Sequence, residues 1–224
     1  TTGRCAGARC IGKRTQRHGD LMDFYTFFRS SASYRVRIAL NLKGISAHEH
    51  YVHLRRGGGE QKMPEFLGLN PQALVPVVTD GDLALTQSLA IIEYIDETHR
   101  APPLLPAEPR LRALARSFAL AIACDIHPLN NLRVLQYLVK AMGHTNDERD
   151  TWYRHWAAAG LAGLEQTIVG AGCAGNFLVG DSPTIADICL VPQIYNARRF
   201  AFDLSEIHRV EPPDRELLSK LTTC

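Results

Sequence analysis

A chain of 224 residues, 46% hydrophobic and 21% charged, can bury a genuine core or two modest domains sharing an interface, and needs no disulfides for stability. The formal charge of +2 is uneven: Arg4, Arg9, Lys13, Arg14 and Arg17 face only Asp20 in residues 1–21, leaving 20 bases against 22 acids elsewhere. That slightly acidic remainder has no basic run, which argues against a nucleic-acid partner, and no apolar stretch long enough for a membrane or a signal peptide.

Residues 1–21 are rich in Gly, Arg and Thr and lack an apolar period. They read as an extension foreign to the fold; an Arg-rich transit segment is the other reading. Met22 to Phe28 is dense in aromatics and predicts a buried strand. Ser30, Ser31 and Ser33 supply N-cap chemistry for a helix whose apolar face is Val36, Ile38, Ala39, Leu40 and Leu42, with Gly44 as its stop. A strand over His48 to Leu54 follows, parallel to the first if that helix is a crossover. Gly57, Gly58 and Gly59 predict a flexible loop, and Lys62 to Leu67 a short helix. Asn70-Pro71 is a turn. Val75 to Val78, with Pro76 near its start, and Leu83 to Leu85 predict two strands joined by a turn at Asp80-Gly81-Asp82. Thr86 is the expected cap of a helix running to Thr98.

The order βαβαββα predicts a small α/β domain over residues 22–101. Pro102, Pro103, Pro106 and Pro109 mark a linker at 102–109. From 110 to 224 the periodicity is helical, with helices expected over Arg110 to Tyr137, Asp147 to Val169 and Pro183 to Phe200, and a kink at Pro128. Thr184-Ile185-Ala186-Asp187 is a capping-box pattern, so Asp187 reads as a folding residue. The six cysteines (5, 10, 124, 173, 189 and 224) form no CxxC pair and no zinc spacing. They predict reduced thiols, a cytoplasmic location and no metal.

The segment Ser30-Ser31-Ala32-Ser33-Tyr34-Arg35-Val36-Arg37-Ile38-Ala39-Leu40 resembles the SSCSWRVRIAL signature of zeta-class glutathione transferases, the maleylacetoacetate isomerase family. Gln87-Ser88-Leu89-Ala90-Ile91-Ile92-Glu93-Tyr94, Asn70-Pro71 with Val75-Pro76, and Leu190-Val191-Pro192-Gln193 match further family segments, so the resemblance runs from Met22 to Arg209. It implies the glutathione transferase fold: a thioredoxin-like N-terminal domain, an all-helical C-terminal domain, and a homodimer. It implies glutathione as cosubstrate and Ser31 as the catalytic serine, with Ser30 beside it. A helix N-terminus and serine hydroxyls would favour a thiolate over a thiol of pKa about 8.5. The bland alternative is that these serines only cap the helix. The family has a cysteine where this chain has Ala32.

By the same resemblance, glutathione is bound by Ser30, Ser31, Ala32, Ser33, Tyr34, Arg35, Gln61, Val75, Gln87, Ser88, Asn131, Leu132 and Arg133. Gln87 and Ser88 serve its γ-glutamyl end, Gln61 its glycyl end, and the bond before Pro76 is cis. Arg35 and Arg37 otherwise read as solvated surface charges. A dicarboxylate substrate requires cations, and a guanidinium is the natural clamp. Arg29 and Arg199 are the candidates, with His127 and Asn131 beside them; Arg198 reads as surface.

The implied reaction is cis–trans isomerisation of maleylacetoacetate to fumarylacetoacetate, in tyrosine and phenylalanine breakdown. The thiolate adds to the cis double bond, the new single bond rotates, and elimination returns glutathione. Isomerisation of maleylpyruvate, transferase chemistry on small α-halo acids, and a non-catalytic glutathione-binding module stay open as alternatives. Beyond Arg209, Glu211-Pro212-Pro213 departs from the family pattern. Truncation or a frameshift there is the expectation.

Overall fold

The computed structural model describes residues 21–202. The expected N-terminal extension (save Leu21), Cys5, Cys10, Cys224 and the departure after Arg209 lie outside the described residues.

β1 (Asp23–Thr26) is shorter than the aromatic run predicts, because Phe27 and Phe28 already turn toward the next helix. α1 (Ser31–Lys43) follows, then β2 (His48–Tyr51), which pairs parallel to β1 as the crossover requires. β2 ends before Leu54 and all four of its residues are exposed, as befits an edge strand. The triglycine segment is not a loose loop: residues 56–58 and 60–62 form successive 3₁₀ turns leading into α2 (Pro64–Leu67).

β3 (Val77–Asp80) starts one residue after Pro76, which escapes the ladder that a proline cannot join. It runs antiparallel to both β1 and β4 (Leu83–Thr86), giving the order β2-β1-β3-β4. α3 (Ser88–Thr98) is capped at Gln87, not Thr86, because Thr86 stays paired with Val77 in the sheet.

The predicted linker is tied down. Lys43 Nζ reaches Asp96 Oδ1 at 2.5 Å and the carbonyls of His99 and Pro102. Asp96 also accepts from the Leu104 N–H, Leu104 is 1% exposed, and its carbonyl accepts from the Ile185 N–H at 2.9 Å. The long helix expected over 110–137 is broken in two. α4 (Pro109–Leu120) runs into a π turn (residues 121–126) and a 3₁₀ turn (127–130), and α5 (Leu132–Lys140) restarts under an Asn131 cap. Pro128 has no N–H to give to the ladder, and the helix restarts where the Asn131 carboxamide oxygen accepts from the otherwise free Arg133 N–H at 3.1 Å. α6 (Asn146–Ala171) passes so close to the π turn that a Cβ on Gly160 would meet Ile126 at 2.4 Å.

α7 (Ile185–Arg198) is the central buried helix; eleven of its residues are buried. The capping box forms as the sequence predicts: Asp187 is 5% exposed and accepts from the Thr184 N–H at 2.8 Å, the Thr184 hydroxyl at 2.9 Å and the Leu178 N–H at 3.0 Å. α1 and α3 from the first half and α4 and α7 from the second contribute to one continuous core, so the sheet-bearing and helical halves share their hydrophobic interior.

Candidate functional site

The sequence places Ser30 at the cap of α1. Its hydroxyl accepts from the Ser33 N–H at 3.1 Å. That leaves Ser31, the first helical residue, as the serine whose hydroxyl caps nothing. Its first-turn N–H belongs to the set that an α-helix cannot satisfy internally. Ser31 is 8% exposed at the base of a cleft of about 530 Å³ between the sheet-bearing half and α5 and α7.

The cleft wall joins segments far apart in sequence. Arg29, Ser30, Ser31, Ala32, Gln61 and Val75 come from the first half; His127, Asn131, Leu132, Arg133 and Arg199 come from the second. Gln61 donates from Nε2 to the Leu54 carbonyl at 3.5 Å, while its buried Oε1 has no hydrogen-bond partner among the described residues. Gly59 takes φ 112°, a conformation that favours glycine; a Cβ there would also come within 2.6 Å of the Gln61 amide, which would have to shift. The Val75–Pro76 bond is cis. Arg29 lies over the Phe28 ring, 5.3 Å from its centroid.

The wall is strongly polarised. Arg29, Arg55, Lys62, Arg133, Lys140 and Arg199 supply six cationic side chains, and among the described residues no Asp or Glu lines it. Of these, Arg55, Lys62 and Lys140 escape the sequence reading. The spacing of Arg133, Gln136, Tyr137 and Lys140 (i, i+3, i+4, i+7) is a polar face of α5 that could have revealed the last. His127 contributes a neutral ring: burial, with Arg35 and Arg133 behind it, lowers its pKa to about 3. Its Nε2 lies 3.5 Å from Asn131 Nδ2. Asn131 therefore both caps α5 and faces the cleft.

Several expected ligands are not brought to this wall. Ser33 is fully buried on the inner side of α1. Tyr34 turns toward α7 and packs edge-on against Tyr195. Arg35 is neither a surface charge nor a cleft residue; it is 1% exposed, inside the junction of the two halves. Helical geometry explains all three, since only the first turn of α1 abuts the cleft and later residues rotate into the core or toward α7. Arg37 is likewise engaged, donating to Thr26 Oγ1 at 2.8 Å and so bracing the β1–α1 turn.

Gln87 and Ser88 stand one layer back, at the N-terminus of α3. Gln87 adopts φ 70°, rare for a side-chain-bearing residue and a form of strain found at functional sites. Its Nε2 donates to Gln72 Oε1 at 3.1 Å, and Gln72 lines the cleft. Ser88 accepts from Arg35 Nη1 at 3.3 Å. Among the described residues no group of three or more His, Cys, Asp or Glu could hold a metal, and no helix is long and apolar enough to cross a membrane. Cys124, Cys173 and Cys189 are free thiols.

Comparison with known proteins agrees with this geometry. A family profile described as "Glutathione S-transferase, N-terminal domain" matches residues 29–98. A probable maleylacetoacetate isomerase of Vibrio cholerae is 52% identical over 181 residues, covering 81% of this chain and 83% of that protein. A solved maleylacetoacetate isomerase of Methylobacterium extorquens AM1, with bound malonate and GSH, superposes with a TM-score of 0.84 at 40% identity, covering 89% and 94% of the two chains. The holo structure of a maleyl pyruvate isomerase, described as a bacterial zeta-class glutathione S-transferase, gives a TM-score of 0.83 at 40% identity over 89% and 93%.

Proposed function

Since the chain belongs to the zeta-class glutathione transferase family that includes the maleylacetoacetate isomerases, we propose that it is a glutathione-dependent cis–trans isomerase converting maleylacetoacetate to fumarylacetoacetate. The observation that carries this reading is the cleft: among the described residues six cationic side chains and no acid, beside a serine hydroxyl at a helix N-terminus. A site so charged suits a small substrate with two carboxylates better than an uncharged electrophile.

The residues present fit glutathione. The orphaned Gln61 Oε1 and the strained α3 N-terminus at Gln87 offer polar anchors at two separated points of the site. When bound, glutathione supplies a thiol that adds reversibly to the alkene, so that the former double bond can rotate. The Ser31 hydroxyl and the first-turn amides of α1 hold negative charge on that sulfur. Arg29 and Arg199 hold the substrate carboxylates, and Arg133 and Lys140 extend the positive field along α5. His127, neutral in the working pH range, offers a hydrogen bond and no charge. The cytoplasm suits the free thiols, and the family resemblance makes the active form a homodimer; light scattering on the purified chain tests the latter.

The deciding experiment is an isomerisation assay with and without glutathione, comparing maleylacetoacetate with maleylpyruvate. Glutathione-dependent turnover favouring the former supports the reading. Preference for the shorter diacid favours the maleylpyruvate alternative, to which the solved maleyl pyruvate isomerase lends support. Absence of turnover with retained glutathione binding leaves a binding module.

A further inference from the structure

The cleft wall does not include Arg35, a buried charged side chain. Arg35 heads the large side chains that are fully buried. One of its nitrogens donates to Ser88 Oγ at 3.3 Å, while Nε and Nη2 have no hydrogen-bond partner among the described residues. Among the described residues no carboxylate pairs with it; the ion pairs run through Lys43, His50, Arg56, Arg116, His144 and Arg149. Its ionisable neighbours are Cys189 on α7 and Cys124 in the π turn, with His127 beyond. Burial lowers its pKa, but an arginine starts high enough to stay charged.

An unpaired charge inside a core is strongly unfavourable and is offset only by an opposite charge or by polar groups that accept from it. Ser88 is such an acceptor, and it is also the first residue of α3, where an anion is favoured. When Arg35 occupies one lone pair of the Ser88 oxygen, the hydroxyl proton must point elsewhere and becomes a donor to whatever sits at that helix end. Gln72, which lines the cleft, and Gln87 and Ser88 behind it carry no charge themselves. The guanidinium beneath them is the charge that this end of the site otherwise lacks.

We propose that Arg35 is a positioning residue for the γ-glutamyl carboxylate of glutathione, acting through Ser88: it orients the Ser88 hydroxyl as a donor and supplies the positive charge under the N-terminus of α3. This rests on the glutathione reading above. The rival is a strut that merely joins α1, α3 and α7.

Titration calorimetry on the full chain separates the two. The ligands are glutathione and its analogue with 4-aminobutanoyl in place of γ-glutamyl, which lacks only that carboxylate. The loss of charge-assisted hydrogen bonding in Arg35→Met weakens glutathione binding about tenfold to a hundredfold and the analogue by less than about twofold. The double variant Arg35→Met/Ser88→Ala binds glutathione about as well as Ser88→Ala alone, the non-additivity expected of two groups acting as one. Arg35→Gln, a milder change that keeps an N–H donor, is read by the same glutathione-to-analogue ratio should Arg35→Met fail to fold. Equal losses on both ligands, or an unchanged ratio in the variants, overturn the proposal in favour of the strut. A wild-type chain that does not bind glutathione overturns the functional reading instead.

Discussion

Replacing Arg199 by Ala separates a dicarboxylate site from a general electrophile site. Arg199 follows the last residue of α7, is exposed to the cleft, and makes no ion pair among the described residues. Its truncation therefore leaves no buried partner stranded and opens no core cavity, so the protein should stay folded. A charge-assisted hydrogen bond contributes about 1.5–3 kcal/mol, and exposure to water puts this one at the lower end. About 1.5 kcal/mol is roughly tenfold in kcat/KM for the diacid. The loss should fall on KM, because the other cleft cations remain and Ser31 is untouched. Activity toward an uncharged electrophile should stay within about twofold, a difference of about 0.4 kcal/mol. Salt supplies a second axis. The Debye length is about 10 Å at 0.1 M, so raising ionic strength should depress wild-type kcat/KM for the diacid more than that of the variant. Paired kinetic runs at two salt concentrations measure all of this. Equal losses on both substrates, or a salt dependence unchanged by the mutation, would refute the reasoning.

The two serines should part company: Ser31→Ala should cut turnover about 10²-fold and raise the pKa of the bound thiol, read from its thiolate absorbance. Ser30→Ala, which removes the α1 cap, should instead cost about 1 kcal/mol of stability in urea unfolding. Asp187→Ala strands two backbone N–H groups and the Thr184 hydroxyl in the core, and should destabilise by about 3–5 kcal/mol with no specific effect on KM. His127 has a folded pKa of about 3 against 6.5 for the free side chain, so the unfolded chain takes up its proton first as pH falls. Its share of the stability is present above pH 6.5 and is lost on descending toward 3, at up to about 1.4 kcal/mol per pH unit. His127→Gln should flatten that part of the pH–stability curve; a variant with the wild-type slope would show that the ring is already protonated in the folded state.

Much of the fold is local in origin and therefore visible in the sequence. Period-two and helical patterns are properties of short segments, so the β-α-β order, the parallel pairing of β1 and β2, and the Gly81 turn follow from neighbours in the chain. The Thr184–Asp187 box is local too, and it forms as its spacing requires. The errors arise where a segment's fate is decided by remote partners. Thr86 looks like a cap but is held in β4 by its pairing with Val77 across the sheet, whereas the break in the helical run from Arg110 is local, at the expected Pro128 kink, with Asn131 restarting the helix. The site shows the same division. Ser30 and Ser31 are distinguishable only once the helix start is fixed, because one of them must spend its hydroxyl on the Ser33 N–H. That Arg35 is buried at a helix junction while Arg55, Lys62 and Lys140 line the cleft is not a pattern of any short segment. A charged side chain four residues into a helix reads the same whether it meets water or a core, and only the packing of α1 against α3 and α7 decided which.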